Sequence, residues 1–357
     1  MTSVTGKAAA TLGRQSYRDI ELYAPNRTAS RIDLSDNTSQ HGMPPSAAAT
    51  LHAVDASTVT RYPSLYAGDL KQALANYVGV SAGNIVTGCG SDDVLDSAIR
   101  AFAEPGDTIA FPSPTFPMIP IFAKMNGLRS IAVPYRSDFA IDVDALIATG
   151  ARIIYVCSPN NPSGTLASPD ALASLIARAP GLVIVDEAYI EYGGESLCHQ
   201  AATDERVLVT RTLSKAFGLA GLRVGYAVGA PTIVAEVEKS RGPYKVSGPA
   251  QRAALAALRD GLEWVQSTVA EDVASRERLF TELQSLGLQP VASQANFLLV
   301  PVPDSASLAR SMRELGVAVR PFERLPIVGD ALRISVGPWE LMVECLGALR
   351  SALGASR

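Results

Sequence analysis

Arg211-Thr-Leu-Ser-Lys215-Ala-Phe-Gly-Leu-Ala-Gly-Leu-Arg223-Val-Gly225 sets one lysine among small, hydroxyl and glycine residues, with an arginine eight positions on. The stretch closes one β-branched run, 207–211, and opens another, 225–228. It therefore reads as a connection between two strands of a layered fold. A lysine that attacks a carbonyl needs its ammonium pKa lowered, and partial burial beside cations does that. Thr212, Ser214 and Arg223 can supply a hydroxyl-lined, positive cradle for a phosphate next to it. A Ser-Lys pair alone marks a surface turn more often than a site, so the reading rests on what lies upstream.

Outward from this stretch, β-branched runs alternate with helical patterns. Strands are expected over 84–87, 108–111, 152–157, 182–186, 207–211 and 225–228, mostly apolar throughout, as strands buried on both faces are. Val94, Leu95, Ala98, Ile99 and Phe102 recur at one-face helical spacing, as do Leu172, Leu175 and Ile176. Such alternation predicts an α/β domain with helices on both faces of its sheet. Beyond about Pro243, helices over 250–258 and 262–286 lead into strands over 297–300, 317–320 and 331–336. Helices over 305–315 and 340–353 complete a smaller α+β unit. The expected organisation is an N-terminal segment, 1–45, packed at the domain junction, a large domain over 46–245 and a small domain over 246–357.

The 357 residues are 47% hydrophobic, enough for a large core, and the net charge is −4. The 31 basic residues form no run, which argues against a nucleic-acid partner. No apolar stretch of ~18 residues or leader-like segment is present, so a cytoplasmic protein without membrane association is expected. Cys89, Cys157, Cys198 and Cys345 show no CxxC spacing, and His41, His52 and His199 no metal-ligand spacing. Catalysis falls to Lys, Tyr, Asp and Arg.

Candidate ligand-binding residues sit where predicted strands end, the edge at which an α/β sheet binds its ligands. Gly88-Cys-Gly-Ser91 joins a strand to the helix over 92–102, and N–H groups at such a helix start attract anions, although a plain tight turn has the same composition. Ser158-Pro-Asn-Asn-Pro-Ser-Gly164 is a restricted loop whose asparagines can hold a phenolic oxygen or simply form a turn. Asp186-Glu-Ala-Tyr189 ends a run of Leu-Val-Ile-Val, an awkward place for an aspartate without a cation. A protonated pyridine nitrogen is such a cation, and Tyr189 then falls where it can donate to the neighbouring ring oxygen. A metal-binding Asp-Glu pair of an ATPase would need a Gly-Lys-Ser/Thr signature, which is missing. The implied cofactor is pyridoxal 5'-phosphate (PLP), held as a Schiff base on Lys215.

From about Leu34 to the C-terminus the chain resembles the fold-type I PLP enzymes of the class I/II aminotransferase superfamily, and histidinol-phosphate aminotransferases in particular. The resemblance implies a large domain with a mostly parallel central sheet flanked by helices, plus a smaller α+β C-terminal domain. Gly90-Ser91-Asp92 resembles the phosphate-binding turn, and Phe116 stands where the family stacks an aromatic ring on the pyridine. Asn161, Asp186 and Tyr189 match the contacts to the ring oxygen and nitrogen, Lys215 the Schiff-base lysine, and Thr212, Ser214 and Arg223 the phosphate cradle. Tyr62, in Arg61-Tyr-Pro63, matches a tyrosine that reaches the partner subunit's cofactor phosphate, which implies a homodimer with shared sites. Arg333 and Arg320 resemble the pair that grips substrate anions, and Tyr23 a tyrosine that contacts the substrate phosphate. One departure stands out. Leu34-Ser-Asp-Asn-Thr-Ser-Gln-His-Gly42 replaces the family's Asn-Glu-Asn-Pro-Tyr-Gly run at the substrate entrance.

These features imply transamination between a small-molecule amino donor and a 2-oxo acid acceptor. The same scaffold also carries decarboxylases, lyases and bond-forming biosynthetic enzymes, so that alternative stays open. A PLP-sensing regulator would need a DNA-binding domain ahead of the fold, for which 45 residues are too few. A Rossmann-type nucleotide binder would need a GxGxxG turn, absent from the first βα unit. Histidinol phosphate, an aromatic amino acid and a specialised amine acceptor all suit two arginines and an aromatic-lined pocket.

Overall fold

The computed structural model describes residues 13–21 and 28–355. A short strand, β1 (Ile32–Asp33), precedes a seven-stranded sheet of β2 (Ile85–Cys89), β3 (Thr108–Ser113), β4 (Arg129–Pro134), β5 (Ile153–Cys157), β6 (Leu182–Asp186), β7 (Val207–Thr212) and β8 (Val224–Gly229). Their spatial order is β2-β8-β7-β6-β5-β3-β4. All neighbours pair in parallel except β8, which runs antiparallel to both β7 and β2.

Strands β5 to β8 are buried at every position, which is why they read as unbroken apolar runs. Alternate residues serve opposite faces. Ile154, Val156, Val183, Val185, Val207 and Val209 meet helices Gly68–Val78, Pro169–Arg178 and Gly248–Asp260. Ile153, Tyr155, Leu182, Ile184 and Leu208 meet helices Gly90–Phe102, Met118–Met125 and Pro231–Lys239. Each fully buried Val, Leu or Ile contributes about 1.5–3 kcal/mol relative to exposure, so these layers hold the sheet edge stiffly. Helices Pro169–Arg178 and Gly248–Asp260 start on Ser168 and Ser247, whose hydroxyls accept from Ala171 and Ala250 N–H.

The C-terminal part adds β9 (Phe297–Pro301), β10 (Val317–Ala318), β11 (Arg320–Leu325) and β12 (Gly329–Ser335). An antiparallel sheet ordered β11-β12-β9 packs with helices Leu262–Ser285, Ser305–Glu314 and Trp339–Ala355 around a separate core. β1 pairs in parallel with β10, and Ile32, with Leu34 just after the strand, joins that core. Two details differ from the sequence reading. The single strand expected over 317–320 is two, with Val319 between β10 and β11, and β4 was not anticipated because it is an edge strand exposed at most positions. No helix among the described residues is long and apolar enough to cross a membrane.

Candidate active site

Because β2, β3, β5, β6 and β7 are parallel, their C-terminal ends open on one edge, and the reversed β8 begins at that same edge. The strand ends thereby gather Ser91 and Asp92 after β2, Phe116 after β3, Asn161 after β5, Asp186 and Tyr189 from β6, Thr212, Ser214 and Lys215 from β7, and Arg223 ahead of β8. All of them line one cavity of about 830 Å³, walled on its other side by Arg320, Arg333 and residues 35–38. Residues up to 298 positions apart in sequence meet here.

Lys215 lies partly buried in this cavity, and its Nζ donates to the Asp36 carbonyl at 3.0 Å. Burial first, then the nearby Arg333 guanidinium, pushes its pKa down to about 8. Asp186 is 3% exposed and accepts from Tyr155 Oη at 2.8 Å and Thr210 Oγ1 at 3.0 Å. Burial pushes its pKa up to about 6 against the lowering effect of those two donors. No ion pair to Asp186 is found among the described residues, so this carboxylate has hydroxyl support but no cation. The Tyr189 hydroxyl, also raised by burial, accepts from Asn37 Nδ2 at 3.1 Å.

At the other end of the cavity, Gly90 opens helix Gly90–Phe102 with φ +81°, and a side chain there would run into the Arg223 guanidinium. Gly225 lets β8 come so close to this turn that an added Cβ would meet Ser91 N and the Gly90 carbonyl carbon. Arg223 pairs with Asp92 at 3.3 Å, and Thr212 Oγ1 lies 2.9 Å from Ser214 Oγ. A helix start, two hydroxyls and an arginine converge as an anion site.

Arg333 Nη1 donates to Asn161 Oδ1 at 2.5 Å and Nη2 to the Ser35 carbonyl at 2.8 Å, while its guanidinium lies 5.7 Å from the Phe322 ring centroid. With its oxygen occupied by Arg333, the Asn161 amide has its donor nitrogen left for the cavity. Arg320 stands directly opposite Arg333 in the β11–β12 register.

Tyr62, expected to serve a partner's site, does not line this chain's own cavity. Tyr62 is 83% exposed and stacks on Tyr244 at 4.8 Å, and Tyr23 lies outside the described residues. Conversely, Asn37, Tyr155, Thr210 and Ser335 escaped the sequence reading. A hydroxyl residue within an apolar strand run was the available signal for Tyr155 and Thr210. Asn37, at φ +60°, had none beyond asparagine's tolerance of that conformation.

These residues fit pyridoxal phosphate: the anion site suits its phosphate, the uncompensated Asp186 its protonated ring nitrogen, and the low-pKa Lys215 its aldehyde. Fold and cavity together define a fold-type I PLP-dependent enzyme. Residues 29–349 match the family model for aminotransferase class I and II. The chain is 33% identical to the histidinol-phosphate aminotransferase of Thermoanaerobacter pseudethanolicus over 348 residues, 96% of this chain and 99% of that one. It is 36% identical to histidinol-phosphate aminotransferase 2 of Ralstonia nicotianae, over 98% of this chain and 94% of the relative. The solved histidinol-phosphate aminotransferase from Sinorhizobium meliloti, in complex with pyridoxal-5'-phosphate, aligns with a TM-score of 0.89 at 26% identity, covering 99% of this chain and 100% of that one. The chain belongs to the aminotransferase class I and II family and is a PLP-dependent aminotransferase.

Proposed function

We propose that this aminotransferase moves an amino group between a 2-oxo acid and an amino compound carrying a doubly charged anion, histidinol phosphate being the leading candidate. The observation that carries this reading is the Arg320–Arg333 pair, directly opposed in register and both lining the cavity. Like charges placed opposite each other in a sheet repel, and bound anions relieve that repulsion. The relatives, named as histidinol-phosphate aminotransferases, point the same way.

Bound PLP supplies the aldehyde that takes the amino group and a ring that draws electrons from the substrate Cα. Around it, Asp186 would keep the ring nitrogen protonated, and Tyr189 and Asn161 would donate to the ring oxygen. Gly90, Ser91 and Asp92 at the helix start, with Thr212, Ser214 and Arg223, would hold the phosphate, and Phe116 would stack on the ring. Lys215, partly neutral near pH 8, moves the proton at the substrate Cα in each of two ping-pong half-reactions. Arg333 would grip the carboxylate, or the phosphate that replaces it, by a bidentate fork, and Arg320 opposite it would add a second contact that a doubly charged phosphate uses more fully than a carboxylate.

We further propose a cytoplasmic homodimer in which Tyr62 of the partner subunit completes the phosphate site. The exposed Val59, Tyr62, Leu65 and Tyr244 support an interface there. Tyr23 is proposed as a substrate-phosphate contact. The division into an N-terminal segment (1–45), a large domain (46–245) and a small domain (246–357) is proposed, with the core shared by helix Gly248–Asp260 and the large sheet favouring a second boundary later than 245.

The deciding experiment offers amino donors singly to the holoenzyme and follows the bound cofactor's absorbance. Histidinol phosphate should discharge it fastest. Arg320→Ala should then cut kcat/KM for that donor by about 100-fold or more, and for a singly charged aromatic amino acid by much less. Arg333→Ala should hurt both. Equal, severe losses for the aromatic donor in both variants would defeat this division of labour.

A further inference from the structure

We propose that Ser335 and Asn37 are positioning residues that oblige Tyr189 to present its hydroxyl hydrogen to the cavity. The argument is one of hydrogen-bond direction. Asn37 is 1% exposed and Ser335 fully buried, so neither can turn to water. The Asn37 backbone N–H donates to Ser335 Oγ at 3.0 Å, and that hydroxyl donates in turn to Asn37 Oδ1 at 3.0 Å. These are the hydrogen bonds of Ser335 Oγ among the described residues.

Reversing the Asn37 amide would leave the Ser335 hydrogen buried without an acceptor, a cost of about 1–3 kcal/mol. The amide is therefore held with Nδ2 toward Tyr189, to whose oxygen it donates at 3.1 Å. An oxygen that receives this donor must send its own hydrogen elsewhere, and Tyr189 lines the cavity. The Asn37 carbonyl is pinned as well, accepting from Asn296 Nδ2 at 3.1 Å. Ser335 ends β12, Asn37 belongs to the N-terminal segment and Tyr189 follows β6, so the relay joins three separate parts of the chain.

The proposal rests on the reading that Tyr189 contacts the cofactor's ring oxygen. A donor to that oxygen favours its anionic form, so it lowers the pH at which the lysine-bound cofactor changes absorbance. The test measures that midpoint in holoenzyme variants. Tyr189→Phe should raise it by on the order of one pH unit. Ser335→Ala, which frees the amide to reverse, should raise it by a substantial part of that, and Ser335→Thr, which keeps the hydroxyl, should restore it. Added to Tyr189→Phe, Ser335→Ala should move the midpoint no further, the non-additivity of a shared pathway.

Should Ser335→Ala fail to fold, Asn37→Asp, isosteric but unable to donate, gives a second arm. Its shift must exceed the one it produces in the Tyr189→Phe background, which isolates the effect of the added charge. A midpoint unmoved by Tyr189→Phe sinks the reading of Tyr189 and the relay with it. A midpoint moved by Tyr189→Phe but not by Ser335→Ala or Asn37→Asp overturns the relay alone, as does a loss of thermal stability in those variants without a shift.

Discussion

At the scale of single residues, two titrating groups are set by burial in opposite senses. The folded pKa of Lys215, about 8, lies below that of a free lysine, so the unfolded chain holds more protons between about pH 8 and 10.5. Its burial thus costs stability below pH 8, and the cost fades as pH rises through that window. At pH 7 roughly one Lys215 in ten is neutral, against fewer than one ordinary lysine in a thousand. Amine-selective labelling of the apoprotein should titrate at Lys215 with a midpoint near 8, and Arg333→Ala should move it upward. A midpoint near 10 would remove Lys215 as the poised amine. Asp186 behaves inversely, since its folded pKa of about 6 exceeds that of a free aspartate. The native state binds the extra proton, so its stabilising effect is complete below about pH 4 and is lost as pH rises through 6. Asp186→Asn should therefore leave the apoprotein no less stable at pH 7 and flatten its pH dependence between 4 and 6. The holoenzyme should nevertheless lose orders of magnitude in single-turnover transamination, because an amide cannot keep the ring nitrogen protonated. Near-normal turnover would mark Asp186 as a structural strand-end residue only.

At the scale of elements, the reversed strand β8 brings Arg223 to the edge where the parallel strands end. Its close approach to the turn before helix Gly90–Phe102 depends on Gly225. Gly225→Ala would push a methyl into the backbone at Gly90 and Ser91, and overpacking of this kind costs about 1–3 kcal/mol or more. Since the displaced groups belong to the anion site, cofactor affinity should fall together with thermal stability. Gly242→Ala, with nothing within 4 Å of the new Cβ, serves as the control and should change neither. Unaltered cofactor retention in Gly225→Ala would show that the turn relaxes freely. The same elements explain what a linear reading catches. β5 and β6, buried on both faces, announce themselves as apolar runs, and the polar residues that end them stand out against that background. β4 escapes because its exposed edge position imposes no apolar pattern.

At the scale of the whole molecule, Tyr62 is the residue that one chain leaves without employment in its own cavity. If two copies share sites, mixing inactive Lys215→Ala and Tyr62→Ala subunits should recover about a quarter of the sites, since half of random dimers are mixed and each carries one intact site. An active monomer by light scattering, or no recovery on exchange, would count against the shared site. Within one chain, residues 34–37 tie the two units together. The Leu34 carbonyl accepts from Ser335 N–H, the Ser35 carbonyl from Arg333, the Asp36 carbonyl from Lys215, and Asn37 reaches Tyr189.

The sequence by itself determined the layered α/β class and singled out a strand-end aspartate and a lysine in a hydroxyl-rich turn, both of which line the same cavity. These are local properties: burial on both faces writes an apolar run, and a buried charge at its end demands an explanation within a few residues. Only the tertiary structure decided that Lys215 sits beside Arg333, that Arg320 and Arg333 stand opposite each other on adjacent strands, and that Ser335 and Tyr189 share hydrogen bonds with the Asn37 side chain. Those contacts span from 13 to 298 residues of sequence or cross from one unit to another. A hydrogen bond depends on direction and ångström-scale distance, which no spacing pattern encodes until the intervening chain has packed.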